Sequence, residues 1–201
     1  METKPTVPPV KDSTTEAHKQ RTTPAESFAE ILENPVLKQW EDFYSKHNPN
    51  FSVADFIFAK TTELDFIPGN VYGIFDEEFD STYWPFLIFN SDSLQYLDID
   101  SYQWLVENGE LSYSPDQAIQ WVDVNQKTVT RIGFYGPSQW VEDAFWKDDS
   151  TVIFLEKDYE GNPSLTIMNL HTRTSAVYAS ETTIEGDYNS HRMKTKGIDV
   201  R

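Results

Sequence analysis

The chain contains no cysteine among its 201 residues. This absence excludes disulfides, thiolate catalysis and zinc or iron–sulfur sites built on cysteine. Apolar runs are also short: none approaches the roughly 18 residues of a membrane-spanning helix, and the first residues lack the hydrophobic segment of a signal peptide. We therefore expect no direct insertion into a membrane.

Glycine is scarce as well, with eight residues in the chain. The sequence has no Gly-x-Gly-x-x-Gly turn, no Gly-x-x-x-x-Gly-Lys loop and no Gly-x-Ser-x-Gly elbow. Such segments place backbone N–H groups around phosphates or expose a nucleophilic serine. Their absence removes the main support for a dehydrogenase, a nucleotidase or a serine hydrolase, and we expect no cofactor.

Metal-ligand patterns are weak. Histidine is limited to four scattered positions: His18, His47, His171 and His191. No pair has the spacing of a zinc site. Carboxylates cluster in residues 76–80 and 158–162, but neither segment matches the twelve-residue calcium loop of an EF-hand. We interpret both segments as solvated turns, with Ca²⁺ binding as the alternative, and predict no metal site.

Basic residues are few in the middle of the chain, where residues 25–180 hold 8 Lys and Arg against 26 Asp and Glu. A negative surface repels nucleic-acid phosphates and anionic lipid headgroups, because such binding relies on basic residues. We therefore expect no nucleic-acid partner. The acidity favours solubility, with a cationic partner as the alternative.

A short pattern occurs three times, in residues 94–100, 119–125 and 165–171. Each copy is an apolar, strand-like run followed by Asp or Asn, one more apolar residue and a polar turn, as in a strand that enters a hairpin. The residues at the strand ends are Asp98, Asp123 and Asn169. We predict that their side-chain oxygens accept backbone N–H groups of the turn, which is a structural role.

Helix signals precede this region. A Thr-Pro-Ala-Glu capping box predicts a first helix that starts at Thr23. An Asn-Pro pair at Asn34 stops that helix and caps a second one with its own apolar stripe. A third short helix is predicted over residues 53–60, although residues 56–58 could equally form a strand.

From residue 69 onward the period of the apolar residues changes to two, which indicates β-strands separated by turns. The predicted strands are residues 70–75, 83–89, 94–99, 103–106, 110–113, 118–124, 128–134, 141–146, 151–156, 165–170 and 174–178. The predicted fold class is α+β: two or three short N-terminal helices followed by an antiparallel β-meander that forms a sheet or a sandwich.

The length allows one core of about 150 residues with tails. We expect a flexible tether over residues 1–22, a single globular domain over residues 23–180 and a polar C-terminal tail over residues 181–201. The tether, rich in Thr, Pro and charge, resembles the spacer that follows the lipid-bearing cysteine of bacterial lipoproteins. That resemblance implies a periplasmic or cell-surface location after removal of a lipoprotein signal; a cytoplasmic location is the alternative.

Residues 119–178 resemble a pair of β-propeller blades. An aromatic residue precedes the polar Asp149-Ser150 turn, an apolar strand follows, and a later strand ends in Asn169, 46 residues after Asp123. The resemblance implies four-stranded blades of this length. A closed ring needs at least four such blades, and eleven strands make fewer than three. We therefore do not expect a closed propeller.

Adjacent aromatic residues supply the candidate binding site. In a strand, neighbouring side chains point to opposite faces, so pairs such as Tyr83 with Trp84 should expose one ring. Exposed rings bind sugars, peptides and proteins. The candidate binding residues are Tyr83, Trp84, Trp140 and Trp146.

We expect a non-enzymatic binding or interaction module with a protein, peptide or glycan partner. One alternative is a hydrolase that uses paired carboxylates, for example on a glycan. The other is a partial repeat domain that assembles with other chains. The sequence leaves the oligomeric state open.

Overall fold

The computed structural model describes residues 28–107 and 110–198, and within them the chain is rich in antiparallel β-structure, as predicted. The strands are β1 (Ile57–Glu63), β2 (Ile67–Pro68), β3 (Ile88–Phe89), β4 (Gln95–Asp98), β5 (Trp104–Glu107), β6 (Glu110–Tyr113), β7 (Gln117–Asp123), β8 (Thr128–Tyr135), β9 (Gln139–Asp148), β10 (Thr151–Asp158), β11 (Pro163–Asn169) and β12 (Thr174–Ala179). The α-helices are α1 (Pro35–Ser45) and α2 (Tyr188–Thr195).

The described strands form two open five-stranded sheets and one separate hairpin. The central sheet has the order β1-β12-β11-β10-β9, and the outer sheet has the order β2-β8-β7-β4-β3. Strands β5 and β6 pair with each other. Each large sheet contains a four-stranded meander, β3-β4-β7-β8 or β9-β10-β11-β12, beside which an earlier strand adds next to the last one.

The central sheet is covered on both faces, so the two large sheets form a sandwich. In β10, Ile153 and Leu155 belong to a core shared with helix α1, whereas Val152 and Phe154 belong to a core shared with the outer sheet. A strand that is buried on both sides carries an almost continuous apolar run. This placement explains why residues 151–155 lack polar alternation.

Helix α1 begins where the sequence predicts. The Asn34 side chain accepts a hydrogen bond from the Val36 N–H at 2.9 Å, and proline occupies the first helical position. Its apolar stripe, formed by Leu37, Trp40 and Tyr44, is buried. The second predicted helix is therefore confirmed, while the predicted helix start at Thr23 lies outside the described residues.

A buried amide joins the two sheets near β9. Gln117 of β7 donates to the Val141 carbonyl at 3.0 Å and accepts from the Val141 N–H at 2.7 Å. The pairing of β9 with β10 shifts beside this point, where Glu142 is the extra residue of a bulge. The side chain of Gln117 thus satisfies a backbone position that lies next to the interrupted ladder.

The prediction of a third helix over residues 53–60 is wrong. Ser52 caps a single 3₁₀ turn, Val53–Asp55, and the chain then becomes extended at Phe56 and continues as β1, which pairs with β12. Long-range pairing overrides the local helix signal, and the β-branched residues of β1 suit a strand.

Two predicted strands also differ from the structure. Residues 81–86 form a 3₁₀ helix, with Asp80 as its cap, and only Ile88–Phe89 remains extended. Tyr83 and Phe86 are both buried at a spacing of three, which a helical turn allows and a strand does not. Residues 70–75 form bends and turns in place of a strand.

The expected polar tail over residues 181–201 also needs correction, because it contains helix α2. Tyr188, Arg192 and Met193 of this helix are buried. Arg192 forms a buried ion pair with Asp100, which places α2 against the turn that follows β4. The segment looks polar in sequence because one of its core contacts is ionic.

The hairpins after β7 and β11 share one geometry. Asp123 and Asn169 each accept, at 2.8 Å, the backbone N–H of the residue three positions ahead. Lys127 and Arg173, each four positions ahead, both have a positive φ near +53°. The predicted hydrogen bonds from turn N–H groups to these two strand-end side chains are confirmed.

The first copy of the pattern, residues 94–100, has the same kind of hydrogen bonds in a more buried setting. Asp98 accepts from the N–H groups of Asp100 at 3.0 Å and Ser101 at 2.9 Å. Burial raises the pKa of Asp98, while these hydrogen bonds oppose the increase.

Candidate functional site: the groove between the sheets

A groove of about 510 Å³ lies between the two large sheets. Strands β1, β10, β11 and β12 supply one wall, and β8 supplies the other. Lys60, Thr62 and Phe134, at its rim, are exposed, so the groove is open to solvent. A volume of this size lies within the range of ligand sites in proteins, which is about 300 to 1,000 Å³.

A buried carboxylate lies in the groove wall. Glu156 of β10 is only 2% exposed. Its Oε1 accepts from the Tyr135 hydroxyl at 2.7 Å. Its Oε2 accepts from Gln139 Nε2 at 3.1 Å, Ser164 Oγ at 3.0 Å and Thr166 Oγ1 at 3.1 Å. Four donors from both sheets therefore surround one carboxylate.

The alternating direction of side chains along β10 explains why Glu156 faces the groove. Val152 and Phe154 face the outer sheet, and Glu156 is the next residue on the same side. In the neighbouring strand it pairs with Ser164, so the serine hydroxyl lies beside the carboxylate. The apolar core ends at Phe154, and the polar groove begins at Glu156.

The local environment shifts the pKa values of both members of the closest pair. Burial raises the pKa of Glu156, and the hydrogen bonds from its four donors oppose the increase. The pKa of the Tyr135 hydroxyl is well above its ordinary value, first because of burial and then because of the adjacent carboxylate. The proton between them therefore belongs to the tyrosine, which acts as the donor.

A hairpin with several hydrogen bonds to Asp158 forms one end of the groove. Asp158 accepts from the N–H groups of Glu160 at 2.9 Å and Asn162 at 2.8 Å, and from Asn162 Nδ2 at 2.8 Å. These hydrogen bonds lower the pKa of Asp158 despite partial desolvation. Gly161 has a φ of +87°, and a Cβ at this position would lie 2.6 Å from the Ile184 carbonyl oxygen. The turn therefore requires glycine at this point.

Several polar atoms of the groove are free to meet a ligand. Among the described residues, no hydrogen bond or ion pair involves Lys60 Nζ, Thr62 Oγ1 or Ser175 Oγ. The carbonyl oxygens of the Gln139 and Asn162 side chains are also free within this part of the chain, although their NH₂ groups are engaged. The groove thus offers polar contacts that the protein does not use itself.

A second buried carboxylate has a structural role on the opposite face of the central sheet. Glu142 accepts from Trp40 Nε1 at 2.8 Å and from the Tyr44 hydroxyl at 2.7 Å, and lies 3.4 Å from Lys157 Nζ. Burial raises its pKa, and Lys157 is the main opposing influence. This cluster fastens α1 to the sheet.

The aromatic residues chosen from the sequence do not form one surface. Tyr83 is buried and donates its hydroxyl to the Trp104 carbonyl at 2.6 Å. Trp84 is 53% exposed and contacts Phe79 and Phe89. The pair does separate into a buried and an exposed ring, although it does so on a 3₁₀ helix.

The other two candidate rings lie at β9. Trp140 is partly buried beside Lys157, whose Nζ lies 5.9 Å from the ring centroid. Trp146 donates to the Ile88 carbonyl at 2.8 Å and lines a cleft of about 570 Å³ with Val36 and Phe89. Neither ring lines the groove between the sheets.

Sequence reasoning missed Glu156 and its partners. The available signal was the Glu-Lys pair at Glu156 and Lys157, which interrupts an otherwise apolar strand. A charged residue in a strand that is buried on both faces must be paired or hydrogen-bonded. The identity of its partner in the other sheet, Tyr135, is a long-range feature that no local pattern encodes.

Metal-ligand geometry is absent from the part of the chain that the structure describes, where no group of three or more His, Asp or Glu side chains could hold a metal ion. In the same part, no helix has the length and apolar character needed to cross a membrane. Comparisons of the chain with protein-family models, with curated proteins and with solved structures found no match.

Proposed function

We propose that the protein is a non-enzymatic binding module of α+β fold and that its ligand occupies the groove between the sheets. The observation that carries this proposal is the ring of four donors around Glu156, which fixes polar side chains at the wall of an open groove. Pre-organised polar groups in a concave site are typical of ligand binding. A short peptide or a glycan unit suits the size and polarity of the groove.

The environment of the carboxylates favours binding over catalysis. Glu156 accepts four hydrogen bonds, and Asp158 accepts three within its own turn. A general base or nucleophile needs a lone pair directed at the substrate. Because these oxygens are already engaged, their main effect is to hold the neighbouring side chains in place.

The test uses two tryptophan substitutions on adjacent residues of β1. Thr62 lines the groove, whereas Thr61 points to the other side of the strand, and both are exposed. Thr62→Trp should fill the mouth of the groove, and Thr61→Trp is the matched control. Amide NMR spectra are recorded while monosaccharides, amino acids and dipeptides are added.

Binding in the groove predicts saturable shifts in β8, β10 and β11 for the wild type and Thr61→Trp, and their loss in Thr62→Trp. Shifts that persist in Thr62→Trp, or that map to another surface, would contradict the proposed site. The complete absence of shifts in the groove with the whole panel would contradict the proposed function.

A hydrolase is the second candidate, supported by one observation. Glu156 and Asp158 lie two residues apart on β10, both line the groove, and their pKa values shift in opposite directions. Carboxylate pairs with separated pKa values serve as acid and base in glycoside hydrolysis. Release of reducing ends from oligosaccharides, lost in Glu156→Gln, would favour this function.

Two further proposals rest on the sequence. Attachment to a bacterial envelope depends on residues 1–22, which lie outside the described part. Assembly with other chains as a partial repeat domain is supported by the meander that occurs once in each sheet.

A further inference from the structure

We propose that the groove selects ligands that donate hydrogen bonds and that its ligand carries an ammonium group, held at the Glu156 end. This inference rests on the groove being the binding site. It concerns which chemical group the groove prefers, and it can fail while the groove remains a binding site.

Three hydroxyl groups surround the Glu156 carboxylate. Tyr135, Ser164 and Thr166 each have one hydroxyl proton, and each hydroxyl lies within hydrogen-bond distance of Glu156. Above the pKa of Glu156 its ionised carboxylate only accepts, so these hydroxyls then donate to it. What each hydroxyl oxygen still offers is a lone pair. Glu156 thereby turns three groups that could donate or accept into acceptors.

The side-chain amides of Gln139 and Asn162 also donate to carboxylates and keep an acceptor oxygen. Gln139 donates an N–H to Glu156, and Asn162 donates an N–H to Asp158. Among the described residues, their side-chain carbonyl oxygens are without a donor, and both residues line the groove. This end of the groove is therefore rich in acceptors.

Charge favours an ammonium group over a neutral donor. Glu156 and Asp158 both line this end, and hydrogen bonds to a carboxylate do not remove its net charge. An ammonium group supplies three donors and a positive charge, so its bonds to the hydroxyl and amide oxygens at this end are charge-assisted. A neutral hydroxyl supplies one donor without the charge, and a carboxylate supplies none.

Lys60 does not block such a ligand. It lies on β1, and Glu156 lies on β10, with β12 and β11 between them. Three strand spacings separate the two backbones by about 14 Å. The Lys60 side chain is exposed, so its ammonium group can stay in solvent. The groove therefore has a cationic rim on β1 and an acceptor-rich end on β10.

The test compares three sugars that share a ring and differ in charge: glucosamine, glucose and glucuronate. Titrations are followed by amide NMR at about pH 7, where the amine of glucosamine is still largely protonated and Glu156, whose pKa is raised, is more fully ionised than at lower pH. We expect glucosamine to bind with a Kd about tenfold lower than that of glucose, and glucuronate to bind more weakly than glucose. The shifts should map to β8, β10 and β11.

Two variants test the cause of the preference. Glu156→Gln introduces an N–H donor, which frees hydroxyl protons to point into the groove, so the ratio of the glucose and glucosamine Kd values should fall towards one. Lys60 is exposed, and Lys60→Ala removes a positive charge from the rim. The substitution should therefore strengthen the binding of glucosamine and weaken the binding of glucuronate. It also keeps the test informative if Glu156→Gln does not fold.

Equal binding of all three sugars, or tighter binding of glucuronate, would overturn the ammonium preference and leave the groove as a polar binding site. Shifts confined to another surface, or none with any of the three, would overturn the inference as well. The panel of monosaccharides, amino acids and dipeptides then decides separately whether the groove binds any ligand.

Discussion

The Tyr135 hydroxyl donates to Glu156 Oε1 at 2.7 Å, and the two residues belong to different sheets. This hydrogen bond crosses the sandwich at the point where the apolar core gives way to the open groove. It couples the position of the outer sheet to the most buried charge of the groove. The contact therefore supports both the packing of the sheets and the polar wall of the proposed site.

Tyr135→Phe should lower the free energy of unfolding by about 1.5 to 3 kcal/mol, because it removes a hydrogen bond to a buried charged group. Urea denaturation measures this change. Tyr159→Phe is the control, since Tyr159 is 69% exposed and should tolerate the loss of its hydroxyl. Equal stabilities of Tyr135→Phe and the wild type would show that the bond across the groove contributes nothing.

The raised pKa of Glu156 predicts a specific dependence of stability on pH. The folded state holds the proton of this carboxyl more tightly than the unfolded state, whose pKa is near the ordinary value of 4.5. The contribution of Glu156 to the free energy of unfolding is therefore fully present below pH 4.5 and is lost as the pH rises through the folded-state pKa.

Glu156→Gln isolates this effect, because the glutamine does not titrate. The free energy of unfolding of the wild type, measured relative to Glu156→Gln, should decrease as the pH rises above the ordinary pKa of 4.5. Urea denaturation at several pH values gives the difference. An increase with pH would mean that the hydrogen bonds outweigh burial and that the pKa of Glu156 is lowered.

The ion pair between Arg192 and Asp100 should be essential for the docking of α2. Both side chains are buried, and Arg192→Met leaves the Asp100 carboxylate without its cation. We expect a loss of about 3 to 5 kcal/mol of unfolding free energy. Lys194→Met, on an exposed position of the same helix, is the control and should change stability by less than about 0.5 kcal/mol. Similar effects of both substitutions would contradict this account of α2.

Because the hairpins after β7 and β11 share one geometry, we expect the same loss of stability when the strand-end residue of either is replaced. Asp123→Ala and Asn169→Ala each remove the acceptor of one turn N–H, and both bonds are exposed. We expect each substitution to lower stability by about 0.5 to 1.5 kcal/mol and to leave binding in the groove unchanged. Thermal or urea denaturation, together with the NMR titration, checks both parts. Intact stability with lost binding would show that these residues contact a ligand.

Turns and helix caps, which form between residues close together in the sequence, were predicted correctly. The pattern at Asp123 and Asn169 predicted two hairpins, and the Asn-Pro pair at Asn34 predicted helix α1, because the residues that make these turns and caps are neighbours in the chain. Predictions failed where distant contacts decide. Residues 57–63 became a strand through pairing with β12, and α2 gained its core contact through a salt bridge to a residue far along the chain.

The proposed site depends mostly on contacts between residues that are distant in the sequence. Glu156 could have been selected as a charged residue in an apolar strand, but its four donors come from three strands of two sheets. The exposed ring of Trp84 was foreseen as one of a pair, yet its place on a 3₁₀ helix sets it apart from the groove. Local patterns cannot encode which strands come to face each other.

Isothermal titration calorimetry of glucosamine into three proteins tests the central claim most directly. The wild type and Thr61→Trp should bind with the same stoichiometry and with Kd values that agree within about twofold. Thr62→Trp, in which the indole fills the mouth of the groove, should give no saturable heat while its urea denaturation stays like that of Thr61→Trp. Equal binding by Thr62→Trp and Thr61→Trp would contradict the claim that the groove between the sheets is the binding site.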